Sequence, residues 1–582
     1  MMNPPAQSAD QPDARLMSVP TGLAWAFWAF ASSLPWLLPT HSAPWTTIYQ
    51  ELLIAGLILP IAVWAMWFRN GRWQVDALAA GFLAAAFVPI LQSAYGMFSL
   101  PAESPLVSHY LTGFALTSII ARRAEEIAPG RLIDAMLAGF VIAALFSTGI
   151  ALYQWLGLDS LGVLLASNPP GDRPVANVGQ PNNLASLLVW GLVAIWWAYL
   201  RRRISGATAM FAAAFMLVGV ALTQSRAGVL EVLVICVAAF VCRRVLRTAG
   251  HWPAWLALVL WFAACLIALD PLSRHLVGEP TRSLVDAASP QERAMLLKLV
   301  LTSIGERPWF GYGWNQNVTA HVEHAAQFPM HGTVGNAHNL ILDLVLWNGV
   351  PLGVVMVVGL CAWLWWAARD SDTAEQRLLI VGVATFSLHA MLELPHVFAC
   401  FLVPVAVMVG TLNAHRKKSD LFTLPRTVIG AAIVLHGLVL MSMFSEYGRI
   451  EANATAARMR AANIAGAPPE TDPRVFVLQS LQDGLLTLRA EPRRNMGADE
   501  LEHMRRAVTR YPTKSGLFRY ANAAALNGRP QEATRALRVL CSLHPVESCR
   551  EAGQGWAQLI ETGFLEASEV QLPVEAAPIP SR

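Results

Sequence analysis

Thirteen apolar runs, most close to the length of a bilayer crossing, leave this chain few ways to fold. A helix needs about 20 predominantly apolar residues to cross the hydrocarbon. The runs lie at 22–39, 48–67, 77–98, 105–121, 133–156, 184–200, 206–223, 226–246, 253–269, 350–368, 376–393, 397–413 and 425–444. Each is read as helix, because backbone polar groups in lipid must bond within their own segment. Only 14% of the 582 residues are charged, against about 25% in a soluble domain. Twenty-one tryptophans suit the interfacial belts of such a protein. A net charge of +3, dispersed along the chain, gives no footing for a nucleic-acid partner. The expected fold is all-α and polytopic, with membrane lipid as its solvent.

Basic residues in the short loops set the orientation. Arg69 and Arg72, Arg122 and Arg123, Arg201 to Arg203, and Arg243, Arg244 and Arg247 follow every second run. Arg369 and Arg377 follow the tenth, and Arg416, Lys417 and Lys418 the twelfth, whereas loops 40–47 and 99–104 have no lysine or arginine. The expected organisation is a cytoplasmic segment 1–21, nine spans over 22–269 and a large outer loop over 270–349. Four more spans cover 350–444, and an outer helical domain covers 445–582. The first span is read as an uncleaved anchor, since no clear small-residue cleavage site follows it.

Four polar clusters fall on the outer side of that topology. "ANVGQPNN" at 176–183 packs four amides, among them Gln180 and Asn182, just ahead of the sixth span. "LTQSRAG" at 222–228 places Arg226 in a tight turn between two spans. "SPQERAMLLKLVLTSIGERPWFGYGWNQ" at 289–316 starts a helix at Ser289 and Pro290 in the N-cap and N1 pattern. Arg293 shares that helix's apolar stripe with Leu297, Val300 and Ile304, and the glycine-rich loop beyond adds Tyr312 and Gln316. Finally "NAHNLILDLVLWNGVPLG" at 336–353 sets His338 and Asn339 at the mouth of an apolar run, with Asp343 further along.

Taken singly, each residue has a bland alternative: a cap for Asn183, a snorkelling arginine for Arg226, a helix-start residue for His338. Together they describe a reaction. Guanidinium forks hold phosphate oxygens bidentately, and an imidazole exchanges a proton near neutral pH. Two fixed cations and one imidazole at a lipid-facing mouth suit a lipid-linked pyrophosphate leaving group. "HVEH" at 321–324, with His331 nearby, is a weaker metal pattern than H-E-x-x-H. No metal or cofactor is expected, because the arginines already supply the positive charge. Glu393 and His396 in "MLELPH" are further members of the candidate site.

These motifs make the chain resemble the bacterial O-antigen ligase and polymerase superfamily, most closely the PglL-type protein O-oligosaccharyltransferases. "VGQPNNLASLL", "LTQSRAGVLEV", "RPWFGYGWNQ" and "NAHNLILDLVLWNGVPLG" look like segments of that family in matching order, within a topological likeness over about residues 20–445. The resemblance implies a glycosyltransferase of the bacterial inner membrane with its site facing the periplasm. Its donor would be an undecaprenyl-pyrophosphate-linked oligosaccharide, and its acceptor the Ser/Thr hydroxyls of a periplasmic protein such as pilin. The family's essential histidine maps onto His338 and its phosphate-binding arginines onto Arg226 and Arg293. Arg173, Gln180, Asn182, Tyr312, Gln316, Asn339 and Glu393 are expected to bind substrate.

Residues 515–545 read as one tetratricopeptide-like hairpin, with "NGRP" as its turn. Such a tail is more typical of the protein-glycosylating members than of lipopolysaccharide ligases. Five cysteines lie in apolar spans as small hydrophobes, while Cys541 and Cys549 in the tail could pair in an oxidising compartment. Within the superfamily, transfer to lipid A-core and glycan polymerisation share the chemistry and remain alternatives. A lipid or ion transporter would instead need ionisable groups near the bilayer midplane. A non-catalytic scaffold would leave Arg226, Arg293 and His338 unexplained.

Overall fold

A computed structural model describes residues 22–573 except 69–71, 159, 170, 247, 249, 279–289, 331, 417–419 and 470. The N-terminal segment 1–21, the cap at Ser289, His331 and the basic residues Arg69, Arg247, Lys417 and Lys418 lie outside the described residues. All thirteen apolar runs are helical. Seven helices are long and apolar enough to cross a membrane: Ile48–Trp67, Ala77–Ala94, Arg131–Trp155, Pro181–Leu200, Trp252–Leu276, Leu340–Arg369 and Arg426–Ala461. Gly206–Leu222 and Ala399–Ala414 are shorter apolar helices.

Loops of the two charge classes gather separately. Of the basic class, Trp73–Asp76 pairs antiparallel with Asp420–Leu424, the one sheet among the described residues. Arg122 ties Asp420 and Gln74 to the same end, each at 2.5 Å, and Arg201 reaches Asp134 at 3.2 Å. The loops without lysine or arginine meet other partners: from 40–47, His41 bonds the Asn177 carbonyl at 3.0 Å, and from 99–104, Ser99 donates its amide to Gln316 at 3.2 Å. Between the ends, Trp36, Phe140, Trp190 and Phe401 from four helices pack their rings 5.1–6.3 Å apart, at the centre of the largest core.

Two helices differ from their expected bounds for identifiable reasons. Apolar patterning ends near residue 444, yet the Arg426–Ala461 helix runs on. Its extension buries Tyr447, Ile450 and Ala454 against Leu478 and Leu485. Glu446, which ends the apolar run, accepts the backbone amides of Phe476, Val477 and Leu478 at 2.9–3.0 Å. That carboxylate secures the return of the chain beside the helix. The second helix starts early, at Leu340, and breaks at Gly349 (φ 77, ψ 166), just before Pro351.

The break explains the glycine-rich loop. A helix interrupted by a residue with φ > 0 followed by a proline leaves carbonyls without intrahelical donors. Tyr312 donates its amide to Leu346 O at 2.9 Å and Gly313 donates to Trp347 O at 3.1 Å, while Val350 donates to Pro308 O at 2.7 Å. Gln92 adds a side-chain bond to Trp347 O at 2.9 Å. Gly311 (φ 71) and Gly349 lie so close that a Cβ on Gly311 would sit 2.4 Å from Leu346 O, and one on Gly349 2.3 Å from Trp309 O. The tight loop is thus the plug of a broken helix.

Beyond residue 478, the helix Gln479–Arg489 packs on the extended helix through Leu485, and helices Ala498–Arg510, Lys514–Leu526, Pro530–Leu543 and Val546–Glu561 pack around Leu517, Leu537, Leu540 and Trp556. The Lys514–Leu526 and Pro530–Leu543 pair is the hairpin expected from the sequence, and Cys541 is bonded to Cys549. Ala325, from the segment ahead of His338, is buried in this same core. Gly332 donates its amide to Leu543 O at 2.8 Å, and Arg510 pairs with buried Glu103 at 2.5 Å.

Gly311→Ala and Gly349→Ala should each destabilise the protein by more than about 2 kcal/mol, through left-handed strain and backbone collision together. The measurement is Tm in detergent. An unchanged Tm for both would show that the break does not depend on this approach.

Candidate active site

Four helix ends converge on His338. The residue itself adopts φ 51, a left-handed conformation that side chains with a Cβ rarely take. Its neighbours hold it there. Ala337 donates its amide to Asp343 Oδ1 at 2.8 Å, and Asn339 caps the following helix by accepting the Leu342 amide at 3.1 Å. The Asn339 side-chain amide donates to Met391 O at 3.1 Å, tying this helix start to the end of the Ala374–Leu392 helix. Asp343 is fully buried and also bonds Asn317 Nδ2 at 2.7 Å and His396 Nε2 at 3.2 Å.

Glu393, just past that helix end, is the partner of the imidazole: Oε2 lies 2.9 Å from His338 Nδ1. A carboxylate can only accept here, so Nδ1 carries the proton and the Nε2 lone pair is left to act as a base. The bond to Glu393 raises the His338 pKa above its ordinary value; partial burial and the positive charge of Arg293 oppose the rise, and the charge of Asp343 assists it. The other carboxylate oxygen accepts from Asn182 Nδ2 at 2.7 Å. Asn182 Oδ1 in turn accepts from Ser225 Oγ at 2.8 Å and from Arg173 at 3.1 Å, and Arg173 also donates to Thr223 O at 2.7 Å.

The residues expected from sequence thus divide into three groups. His338, Glu393, Asn182 and Arg173 form one bonded network, Asn339 ties the adjoining helix ends through Met391, and Arg293 is close enough to act on His338 through its charge. Arg226 begins the Arg226–Val241 helix directly after Ser225, half-buried, and Gln180 is half-buried at the N-cap of the Pro181–Leu200 helix. Tyr312 and Gln316 are elsewhere. The Tyr312 ring is fully buried with Phe98 and Trp347, beneath the Arg307 guanidinium at 4.1 Å. Gln316, also fully buried, donates to Glu103 at 3.0 Å. They hold the loop that plugs the broken helix and are not brought to His338, because the glycines turn the loop inward.

The 321–324 histidines serve the same scaffold. His321 Nδ1 accepts the Val334 amide at 3.1 Å, His324 bonds Glu306 at 3.0 Å, and Glu323 pairs with Arg307 at 2.7 Å. Ser225 is a site residue that sequence reading passed over; its signal was the N-cap position in "QSRAG".

Residues 211–358, which contain Arg226, Arg293 and His338, match the family described as O-Antigen ligase. Residues 378–556, which contain Glu393 and most of the tail, match the C-terminal part of the virulence factor membrane-bound polymerases. A general O-oligosaccharyltransferase of Acinetobacter baylyi is 27% identical over 528 residues, covering 88% of this chain and 91% of its own length. A ComP-specific O-oligosaccharyltransferase of the same organism is 25% identical over 401 residues, covering 66% and 70%. With its membrane helices, its two matched regions and these relatives, the chain is similar to the O-antigen ligase and PglL-like oligosaccharyltransferase superfamily.

Proposed function

We propose that the chain is an O-oligosaccharyltransferase that moves a preassembled glycan from undecaprenyl pyrophosphate to Ser/Thr hydroxyls of pilin-like periplasmic proteins. The observation that carries this reading is the His338–Glu393 pair, joined through Asn182 to Ser225, the residue before Arg226, and lying in the field of Arg293. The acceptor hydroxyl gives its proton to His338 Nε2 as its oxygen bonds the anomeric carbon. The bond from that carbon to the pyrophosphate breaks, and its electron pair leaves on the pyrophosphate oxygen. One displacement of this kind inverts the anomeric configuration. Glu393 stabilises the imidazolium that forms, while Arg226 and Arg293 neutralise the growing negative charge of the leaving group. No step calls for a metal. Gln180 is assigned to the glycan, since Asn182, Arg173 and Asn339 are spent on holding the site.

The topology belongs to the same proposal: thirteen crossings, a cytoplasmic N-terminus, and both the site and the tetratricopeptide-like tail in the periplasm. The pairing of basic loops with one another, and of loops 40–47 and 99–104 with 157–183 and 270–349, supports it. So do the tail's contacts with Glu103 and Gly332, which put it at the same end as His338.

His338→Ala should abolish transfer in a purified assay without impairing membrane insertion; normal turnover would remove the assigned base. Because the base must be neutral, activity should fall with acid below a midpoint above about 6.5, the ordinary imidazole value. Glu393→Gln, which removes the charge that raises the His338 pKa, should move that limb to lower pH.

Lysine should replace Arg226 or Arg293 with a loss of about tenfold or more, since a point charge lacks the fork, and EDTA should leave the wild-type rate unchanged. Inhibition by EDTA that a divalent ion reverses would overturn the metal-free mechanism.

For the topology, Glu551→Cys on the exposed face of the tail should react with an impermeant maleimide in intact cells. Arg203→Cys should react only once the inner membrane is opened. The reverse pattern would put His338 on the wrong side of the membrane.

A further inference from the structure

We infer that Ser186, Glu231 and His389 form a buried polar clamp that positions Glu393, and through it His338, for glycan transfer. The inference rests on the transferase reading above and adds three residues to it that touch neither substrate nor the reacting atoms.

Ser186 Oγ bridges two helices that sequence places far apart, lying 2.6 Å from Glu231 Oε1 and 2.8 Å from His389 Nδ1. All three side chains are buried, two of them completely. Buried polar groups inside membrane helices are costly unless paired and are retained where they do something. Ser186 and His389 each stand one turn from a member of the site on the same helix, and Glu231 lies on the helix that Ser225 caps. Ser186 follows Asn182 by four residues, Glu231 follows Ser225 by six, and His389 precedes Glu393 by four. Residues four apart share a helix face, about 6 Å apart along the axis. A second polar layer therefore underlies the first, joining the same three helices.

The coupling to His338 is short. Glu393 donates its amide to His389 O at 2.8 Å, so the last turn that carries the Glu393 carboxylate is closed on the clamped residue. Loosening His389 frees that turn to rotate. Asn182, on the helix that carries Ser186, then loses its register with Glu393 Oε1. Ser186 is the only partner Glu231 bonds among the described residues, and Glu231 Oε2 and His389 Nε2 have none. What the clamp requires of Glu231 is therefore its length and one acceptor oxygen, which glutamine also supplies. The groups that face His338 are Glu393 at the end of the Ala374–Leu392 helix, Asp343 on the Leu340–Arg369 helix and Arg293 on the Pro290–Glu306 helix. Of these, Glu393 alone stands on a helix that the clamp holds.

The test uses the purified full-length protein in nanodiscs, with a glycosyl polyprenyl pyrophosphate and a serine-containing pilin-like peptide. Ser186→Ala and Glu231→Leu should lower kcat by about tenfold or more with donor KM unchanged, as expected for a displaced base. They should also move the acid limb of the rate profile to lower pH, because Glu393 then holds the His338 proton less well. Glu231→Gln should stay within about threefold of wild type, with its acid limb in place. Wild-type kcat and profile in Ser186→Ala would overturn the clamp, as would a fall in kcat with no movement of the limb. If Glu231→Leu does not fold, Ser186→Ala decides, since it removes a single oxygen. A Glu231→Gln protein as impaired as Glu231→Leu would overturn the role given to the acceptor oxygen. Absence of transfer by the wild-type protein would fail the transferase reading itself; active wild type with unaffected variants fails the clamp alone.

Discussion

The site depends on two carbonyl oxygens, those of Leu346 and Trp347, and on what takes the place of their missing helical donors. At the break in the Leu340–Arg369 helix they turn to the amides of Tyr312 and Gly313. Irregular backbone at a membrane face is tolerated only where protein satisfies it, so the 308–316 loop is obliged to lie here. The loop brings Asn317 to Asp343, and Asp343 fixes the Ala337 amide one residue before His338. Without the break, a straight helix would carry the His338 end on along the axis of residues 350–369. The kink gives the half-helix its own direction and lets its cap meet the end of the Ala374–Leu392 helix.

Glu393 works at the second junction. It accepts from Asn182 and from His338 through different oxygens, so one carboxylate sets both the tautomer of His338 and the approach of the Pro181–Leu200 helix. Asn182 does likewise for Ser225 and Arg173. Most of the amides and carboxylates gathered near His338 are therefore occupied in holding one another. Such a network keeps a left-handed histidine in place.

Much of this was legible from residue order. Period and length of the apolar runs gave the helices, since lipid leaves the backbone no other arrangement. Pro290 announced itself as a helix start and His338 as an imidazole at an apolar mouth, whereas Asn339, expected as a substrate ligand, proved to cap the helix. The burial of Tyr312 and Gln316 was not legible, because glycines beside aromatic rings look alike in a ligand loop and in a backbone plug; only the carbonyls of Leu346 and Trp347 tell them apart. The pairing of His338 with Glu393 spans 55 residues and two helix ends, a relation no local pattern encodes. Glu231 was hidden in "AGVLEVLV", where a single acidic residue does not interrupt an apolar run. It marks ionisable groups one helical turn deeper than the outer-end clusters read from sequence.

The bond from Gly332 to Leu543 and the burial of Ala325 in the tail core make the tail part of the frame around the histidine. Arg510, set on Glu103 beside Gln316, fastens it a second time. The tail therefore cannot be traded as a cassette. An exchange of tails among relatives must carry residues 99–103 and 316–337 as matched surfaces, or the graft will leave a buried carboxylate at Glu103 facing a stranger. Changes in the tail and changes in the loop before the histidine are bound to be inherited together.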